Sequence, residues 1–151
     1  MSKYHNQKTE VDVALSSCGC IHCHAITQCW CDCGIELEVE IKAVSTNAAY
    51  RKRGYGKGMY MTKEGKTYKE AIGWAAAALQ QEMYTTPVSL WLEFHYADKR
   101  KRDVDGAIKL TMDSLQNILI ENDYQVQELR VRKFHDGQDL VKIKILPFFF
   151  I

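Results

Sequence analysis

The residues best suited to do chemistry are three aspartates that accompany a basic run. Asp103 and Asp105 are one residue apart, directly after Lys99–Arg102, and Asp123 follows further along the chain. Clustered carboxylates suit a divalent cation such as Mg²⁺, and clustered cations suit a polyanion. In extended backbone, side chains at i and i+2 point the same way, so Asp103 and Asp105 could reach one cation. The combination predicts metal-assisted chemistry on a phosphodiester.

Lys109 could take part in the same chemistry. It lies four residues after Asp105 and four before Asp113, which places the three on one face of a helix. A lysine beside metal-binding acids can hold a phosphate, stabilise a leaving oxygen or shift a neighbouring pKa. The structural alternative is that an aspartate caps a helix, that Asp105 and Lys109 form a surface ion pair, and that the basic run is a solvated turn. These residues alone leave both interpretations open.

Hydrophobic periodicity predicts the elements that must position these residues. Apolar and charged residues alternate from Ile35 to Ile41, which predicts a half-buried strand, and residues 88–96 predict a second strand. Thr62 is a candidate N-cap for an Ala-rich helix that must end before Pro87. Apolar residues at helical spacing from Val104 to Leu119 predict a second helix.

Two further strands are predicted near the end of the chain. Residues 125–133 and 140–146 are strand-like, and His135-Asp136-Gly137 between them is a hairpin-type turn. The predicted order is therefore strand, helix, strand, helix, strand, strand. We expect an α+β domain over residues 35–151, with a mixed four-stranded sheet and two helices.

Composition is typical of a globular protein. The chain has 151 residues, of which 46% are hydrophobic and 26% charged, with a net charge of +1. No apolar run approaches the ~20 residues that a membrane span needs. The first residues contain no apolar signal core, so we expect a cytoplasmic protein without membrane association.

A cysteine-rich segment precedes the predicted domain. In a reducing compartment, such a cluster favours metal binding over disulfides. A structural Zn²⁺ needs four thiolate or imidazole ligands, and it would supply the folding energy of a segment with almost no apolar core. We expect residues 1–34 to form a zinc-binding extension; disulfides or an unliganded flexible segment are the alternatives. The candidate ligands are Cys18, Cys20, Cys23, Cys29, Cys31 and Cys33.

The motifs around the aspartates resemble those of the RusA family of Holliday junction resolvases. Residues 93–133 contain segments similar to the family's E-x-H-x-x-D, its basic run, its D-[LV]-D-N-x-x-K helix start and its D-D-x-Q segment. Upstream, VSTNAAYR is similar to the family's P-S-x-N-x-x-Y/W-R loop, and MTKEGKTYKEAI to its S-x-E-G-x-x-Y-R helix start. The resemblance covers about residues 35–146 and follows the same order of elements.

The resemblance implies a Mg²⁺-dependent endodeoxyribonuclease that makes paired nicks in four-way DNA junctions, in recombination and repair. By its motifs, Asp103, Asp105 and Asp123 would hold the metal, and Lys109 would be the essential lysine. The residues expected to contact DNA are Arg51, Lys52, Arg53, Lys57, Lys99, Arg100, Lys101 and Arg102. The family is dimeric, and a homodimer is also expected because cutting two strands related by near-twofold symmetry needs two active sites.

Two positions depart from the family's pattern. Gly106 follows the second acid where asparagine is usual, and Asn122 replaces the first acid of D-D-x-Q, which makes Glu121 an alternative ligand beside Asp123. Two other functions therefore stay open. One is a nuclease that acts on flaps, forks or single strands, and the other is a non-catalytic DNA-binding protein that reads DNA with its cysteine-rich segment.

Overall fold

The protein is described here by a computed structural model, which covers residues 34–148. The predicted zinc-binding extension and its six cysteines lie outside the described residues. Within residues 34–148, no helix combines the length and apolar character that crossing a membrane would need.

The described residues form six strands, three α-helices and one short 3-10 helix. In chain order these are β1 (Ile35–Val39), α1 (Thr46–Ala49), β2 (Tyr50–Lys52), β3 (Met59–Met61), α2 (Lys63–Ala78), β4 (Val88–His95), α3 (Ile108–Leu115), a 3-10 turn (Asp123–Gln125), β5 (Val126–Phe134) and β6 (Leu140–Pro147).

Four of the strands form one mixed sheet in the order β1-β6-β4-β5. Strands β4 and β5 are parallel, whereas β6 is antiparallel to both β4 and β1. Strands β2 and β3 form a separate antiparallel hairpin. The predicted α+β fold with a mixed four-stranded sheet is confirmed, and the single-turn helix α1 is an addition to the two predicted helices.

The core lies around the central strand β4. Val88, Leu90, Leu92 and Phe94 of β4 are almost fully buried, and they belong to one cluster with side chains from α2, α3 and β6. On the other face of β4, Ser89 and His95 are also buried, while Trp91 and Glu93 are partly buried. A strand of this kind is most stable in the middle of a sheet.

The predicted hairpin between the last two strands is wrong in one respect. Gly137 has a φ of +85° in the turn that joins β5 to β6, as a tight turn requires. However, the two strands do not pair with each other, because β4 lies between them. Turn residues determine where the chain reverses, whereas the burial of the apolar side chains of β4 favours the central place for this strand.

The helix predicted from Val104 to Leu119 is shorter than its hydrophobic pattern. Residues 104–107 form a turn, α3 begins at Ile108, and Val104 is 44% exposed. The helix ends at Leu115, and Asn117 then adopts a left-handed φ of 60°. Leu119 is nevertheless fully buried, because the chain folds back after the helix and keeps this side chain in the core. The apolar spacing therefore continued beyond the helix itself.

Candidate active site

Lys109 lies in the first turn of α3, between two carboxylates. Its Nζ atom is 2.6 Å from Asp123 Oδ2 and 2.9 Å from Asp113 Oδ1. The hydrogen bond from Lys109 lowers the pKa of Asp123, while Asp123 and then Asp113 raise the pKa of Lys109 above its usual range. Lys109 is therefore a permanent cation at neutral pH, suited to holding an anion rather than to accepting a proton.

Helix α3 is held in place by a buried hydroxyl pair. The Tyr68 and Thr111 hydroxyl oxygens are 2.7 Å apart, and Thr111 donates to the carbonyl of Ala107 at 2.7 Å. Tyr68 belongs to α2 and is completely buried, which raises the pKa of its phenol. The pair fixes the start of α3 against α2 and so determines where Lys109 stands. The tyrosine of the E-G-x-x-Y motif thus has a structural role.

Asp123 is positioned by a residue that the sequence reasoning did not single out. The Gln125 side chain accepts from the backbone N–H groups of Glu121 and Asn122 at 2.7 and 2.9 Å. Its amide donates to the carbonyls of Tyr84 and Thr86 at 2.9 and 3.1 Å. Gln125 is only 3% exposed, and its four partly buried bonds tie the turn that carries Asp123 to the segment before β4. The sequence did contain a signal for this role, because Gln125 is the glutamine of the D-D-x-Q motif.

Asn122, one of the two departures from the family's motifs, has a clear structural role. It caps the 3-10 turn in a capping box: its side chain accepts from the backbone N–H of Gln125, whose own side chain accepts from the Asn122 N–H. An asparagine oxygen accepts this bond as an aspartate oxygen would. Asp123 therefore keeps its place without an acid before it.

Asp103 stands at the rim of a cleft of about 780 Å³. The cleft is lined by Tyr96 and by side chains from three segments, namely residues 41–48, residues 63–68 at the start of α2, and residues 100–107. Asp103 and Asp105 are both exposed. Asp105 lies in the turn before α3, and the N-cap of α3 is Ala107, which has no side chain able to cap it. Neither the extended-backbone argument nor the N-cap alternative therefore describes these acids.

A dense set of contacts fixes the loop before Asp103. Arg102 donates from both terminal nitrogens to the carboxylate of Asp98, and its guanidinium lies 4.3 Å above the ring of Tyr96. Lys42 binds the same carboxylate at 2.7 Å. Arg102 first, and Lys42 second, hold the pKa of Asp98 far below its usual range. Arg102, which was expected at the DNA, thus braces this loop, and it also lines the cleft with Asp103.

The turn between β5 and β6 clamps the other side of this loop. The His135 ring donates to the carbonyl of Asp98 at 2.8 Å, and Asp139 accepts from the N–H of Ala97 at 3.0 Å. His95, buried and stacked on Phe134, places Nδ1 2.6 Å from Asp136 Oδ2. The histidine and second acid of E-x-H-x-x-D thus organise the loop that leads to Asp103.

The other candidate DNA contacts form two exposed groups. One is the basic loop of residues 99–101, and the other is the β2–β3 hairpin with its flanking turn. Arg100 and Lys101 line the cleft that Asp103 borders, together with Lys63. The exposed candidates are Arg51, Lys52, Arg53, Lys57, Lys99, Arg100 and Lys101.

Gly106, the other departure, is packed closely against the loop before α1. A Cβ atom there would lie 3.3 Å from Ser45 Cβ and 3.5 Å from the carbonyl of Asp103. The Gly106 carbonyl accepts from the N–H of Thr46 at 2.8 Å. The missing side chain therefore lets the turn that carries Asp105 approach the V-S-T-N loop.

The structure brings Lys109 and Asp123 together, but it does not bring the three aspartates into a closed metal site. Within residues 34–148, no group of three or more His, Cys, Asp or Glu side chains is arranged to hold a metal ion. Asp103 and Asp105 have no ion-pair partner in that range. Since Mg²⁺ takes one or two carboxylates and keeps its other positions for water and phosphate, these two acids fit such a cation.

A comparison with known protein families gave a match. The family model described as endodeoxyribonuclease RusA matches residues 40–146, which include the acids, Lys109, the basic loop and the hairpin. A comparison with curated proteins gave no match. Since the family model spans more than half of the chain, the protein belongs to the endodeoxyribonuclease RusA family and is a nuclease.

Proposed function

We propose that this nuclease resolves four-way DNA junctions by paired, Mg²⁺-dependent nicks in recombination and repair. The observation that carries the proposal is the position of Asp103, at the rim of a cleft that Arg100 and Lys101 line. Exposed cations attract the phosphate backbone to the cleft, where Asp103 forms no ion pair with another described residue. Asp105 lies two residues further along, exposed in the turn before α3. Family membership favours catalysis over mere DNA binding.

Asp103 and Asp105 would hold the metal, with Asp123 as the third carboxylate. Mg²⁺ bound there would supply a water of lowered pKa and neutralise charge on the phosphate. Lys109 stays protonated, keeps Asp123 ionised and offers N–H donors for a phosphate oxygen. Because Lys109 already binds Asp123, a cation that also binds Asp123 must compete with that ion pair.

A junction-cleavage assay tests this function. Labelled four-way junctions and linear duplexes of the same sequence are incubated with the full chain, with and without Mg²⁺. We expect symmetric nicks in the junction only with Mg²⁺, and a loss of at least a hundredfold in rate for Asp103→Asn. Glu40→Gln is the matched control, because Glu40 is an exposed carboxylate outside the cleft. Equal cutting of duplex and junction would contradict the proposed substrate.

The second candidate function is a nuclease on other branched DNA. The same cations and acids would serve flaps, forks or single strands, since phosphate contacts carry no information on branching. Including these substrates in the assay separates the two functions. Preferred cutting of a flap over the four-way junction would replace the first proposal with this one.

The homodimer and the zinc-binding extension remain part of the proposal. Two sites in one assembly would allow paired nicks, and sedimentation analysis should give twice the chain mass of 17.4 kDa. Residues 1–34 would bind structural Zn²⁺ through their cysteines as a unit separate from residues 35–151. Elemental analysis of purified protein tests this, and a zinc content near zero would remove the zinc site.

A further inference from the structure

The β2–β3 hairpin is a basic element without compensating acids. Residues 50–61 contain four cations and no carboxylate: Arg51, Lys52, Arg53 and Lys57. All four are exposed, and within the described part of the chain none is neutralised by an ion pair. Unneutralised cations on one exposed element attract a polyanion such as DNA.

An aromatic ring stands at the tip of this hairpin. Tyr55 is fully exposed. The N–H of Lys57 donates to the carbonyl of Gly54 at 3.2 Å, which closes a β-turn with Tyr55 as its second residue. Gly56, the third, has the φ of 74° that type II turns require. The ring is thus held outward by an ordered turn and has no packing role among the described residues.

The base of the hairpin is attached beside the cleft. The N–H of Thr62 donates to the carbonyl of Ala49 at 2.7 Å, and its hydroxyl donates to the carbonyl of Ala48 at 3.0 Å. Ala48 and Lys63, on either side of the hairpin, line the same cleft as Asp103. The hairpin therefore projects from the region where the phosphodiester would be cut.

We propose that Tyr55 stacks on the exposed face of a base at the branch point of the DNA, where stacking between the arms is interrupted, while the hairpin cations hold the adjoining phosphates. This rests on the proposed function. In continuous duplex every base is already stacked, so inserting a ring requires unstacking, whereas a branch point interrupts stacking and lowers that cost. The hairpin thereby distinguishes branched from linear DNA, which the phosphate contacts alone do not.

Binding of labelled DNA by the full chain tests the proposal. Titrations use the Asp103→Asn background without added Mg²⁺, so that no strand is cut. Tyr55→Ala should weaken binding of a four-way junction by about tenfold, as expected for losing one base–aromatic stack, and leave linear duplex binding unchanged. Tyr55→Phe should retain the junction affinity, because the ring is kept. Lys57→Ala, the charge control, should weaken both DNAs alike.

A second readout reports stacking directly. A junction carrying 2-aminopurine at the branch point should lose fluorescence when the Tyr55 protein binds and not when Tyr55→Ala binds. In one outcome, the parent protein binds the junction more tightly than the duplex while Tyr55→Ala has the parent's affinity for both DNAs. That result overturns the role of Tyr55 and leaves the proposed function standing. If the parent shows no preference for any branched DNA, the proposed function fails and the hairpin proposal with it.

Discussion

The ammonium of Lys109 lies 2.6 Å from a carboxylate oxygen of Asp123, joining α3 to the 3-10 turn that precedes β5. The two residues are fourteen positions apart in the chain, and their side chains are 55% and 33% exposed. Because water screens such a pair, its main effect is on the charge state of Asp123 rather than on folding.

Removing the Lys109 charge should therefore change a pH profile. Lys109 lowers the pKa of Asp123, so Asp123 stays ionised to lower pH in the unaltered protein. In Lys109→Met this pKa should rise toward its ordinary range, and the acid limb of the cleavage profile should move to higher pH. Carboxyl NMR titration of Asp123 measures the shift. The small stability that the ionised pair adds is lost as pH falls through the lowered pKa.

The exposed α2 lysine Lys69 supplies the control, since Lys69→Met should leave the titration of Asp123 where it was. An Asp123 titration that is the same in Lys109→Met and in the unaltered protein would contradict the coupling between the two residues.

Gln125→Leu should destabilise the domain and weaken cleavage. The substitution leaves two partly buried N–H groups and two carbonyls without their side-chain partner, at a cost of about 2–4 kcal/mol in the free energy of unfolding. Urea denaturation measures this cost. Gln127→Leu is the matched control, because Gln127 is exposed and its side chain makes a single hydrogen bond, of 3.3 Å, to the carbonyl of Tyr124. Equal denaturation midpoints for the two variants would show that Gln125 does not hold the turn.

Arg100 and Arg102 should differ in what they contribute, although both belong to the basic run. Arg100 is exposed at the cleft. Arg100→Ala should therefore reduce the steepness of log affinity against log salt by about one unit, the change expected for the loss of one phosphate contact. Arg102 is bound to Asp98, so Arg102→Ala should lower the Tm and leave the salt slope nearly unchanged. Salt titrations of DNA binding and thermal unfolding measure the two effects, and the reverse pattern would make Arg102 the DNA contact.

Gly65 and Gly106 should respond differently to the same added methyl group. At Gly65 a Cβ would lie 2.8 Å from Ala49 Cβ and 3.0 Å from its Cα, so Gly65→Ala should cost about 1–3 kcal/mol through overpacking. At Gly106 the nearest atom is 3.3 Å away, so Gly106→Ala should change stability by less than about 1 kcal/mol. The denaturant midpoints of Gly65→Ala and Gly106→Ala measure the two stability losses. Equal losses of stability in the two variants would mean that the V-S-T-N loop cannot shift to accommodate the methyl group added at Gly106.

The sequence by itself determined the type of fold and where its main elements lie. The alternation around Leu37 predicted β1, and Thr62 predicted the start of α2, because both signals depend on neighbours only a few residues away. The motifs that carry Asp103, Lys109 and Asp123 likewise identified the family, which the match over residues 40–146 confirms.

Tertiary structure alone decided the neighbours of these elements. It placed β4 between β5 and β6, brought Lys42 and His135 to Asp98, and bound the Gln125 side chain to the carbonyls of Tyr84 and Thr86. These outcomes depend on contacts between residues far apart in the chain, whose energies a local pattern does not contain. The basic run therefore looked uniform in the sequence, although Arg102 is partly buried and bound to Asp98 while Lys99, Arg100 and Lys101 are exposed.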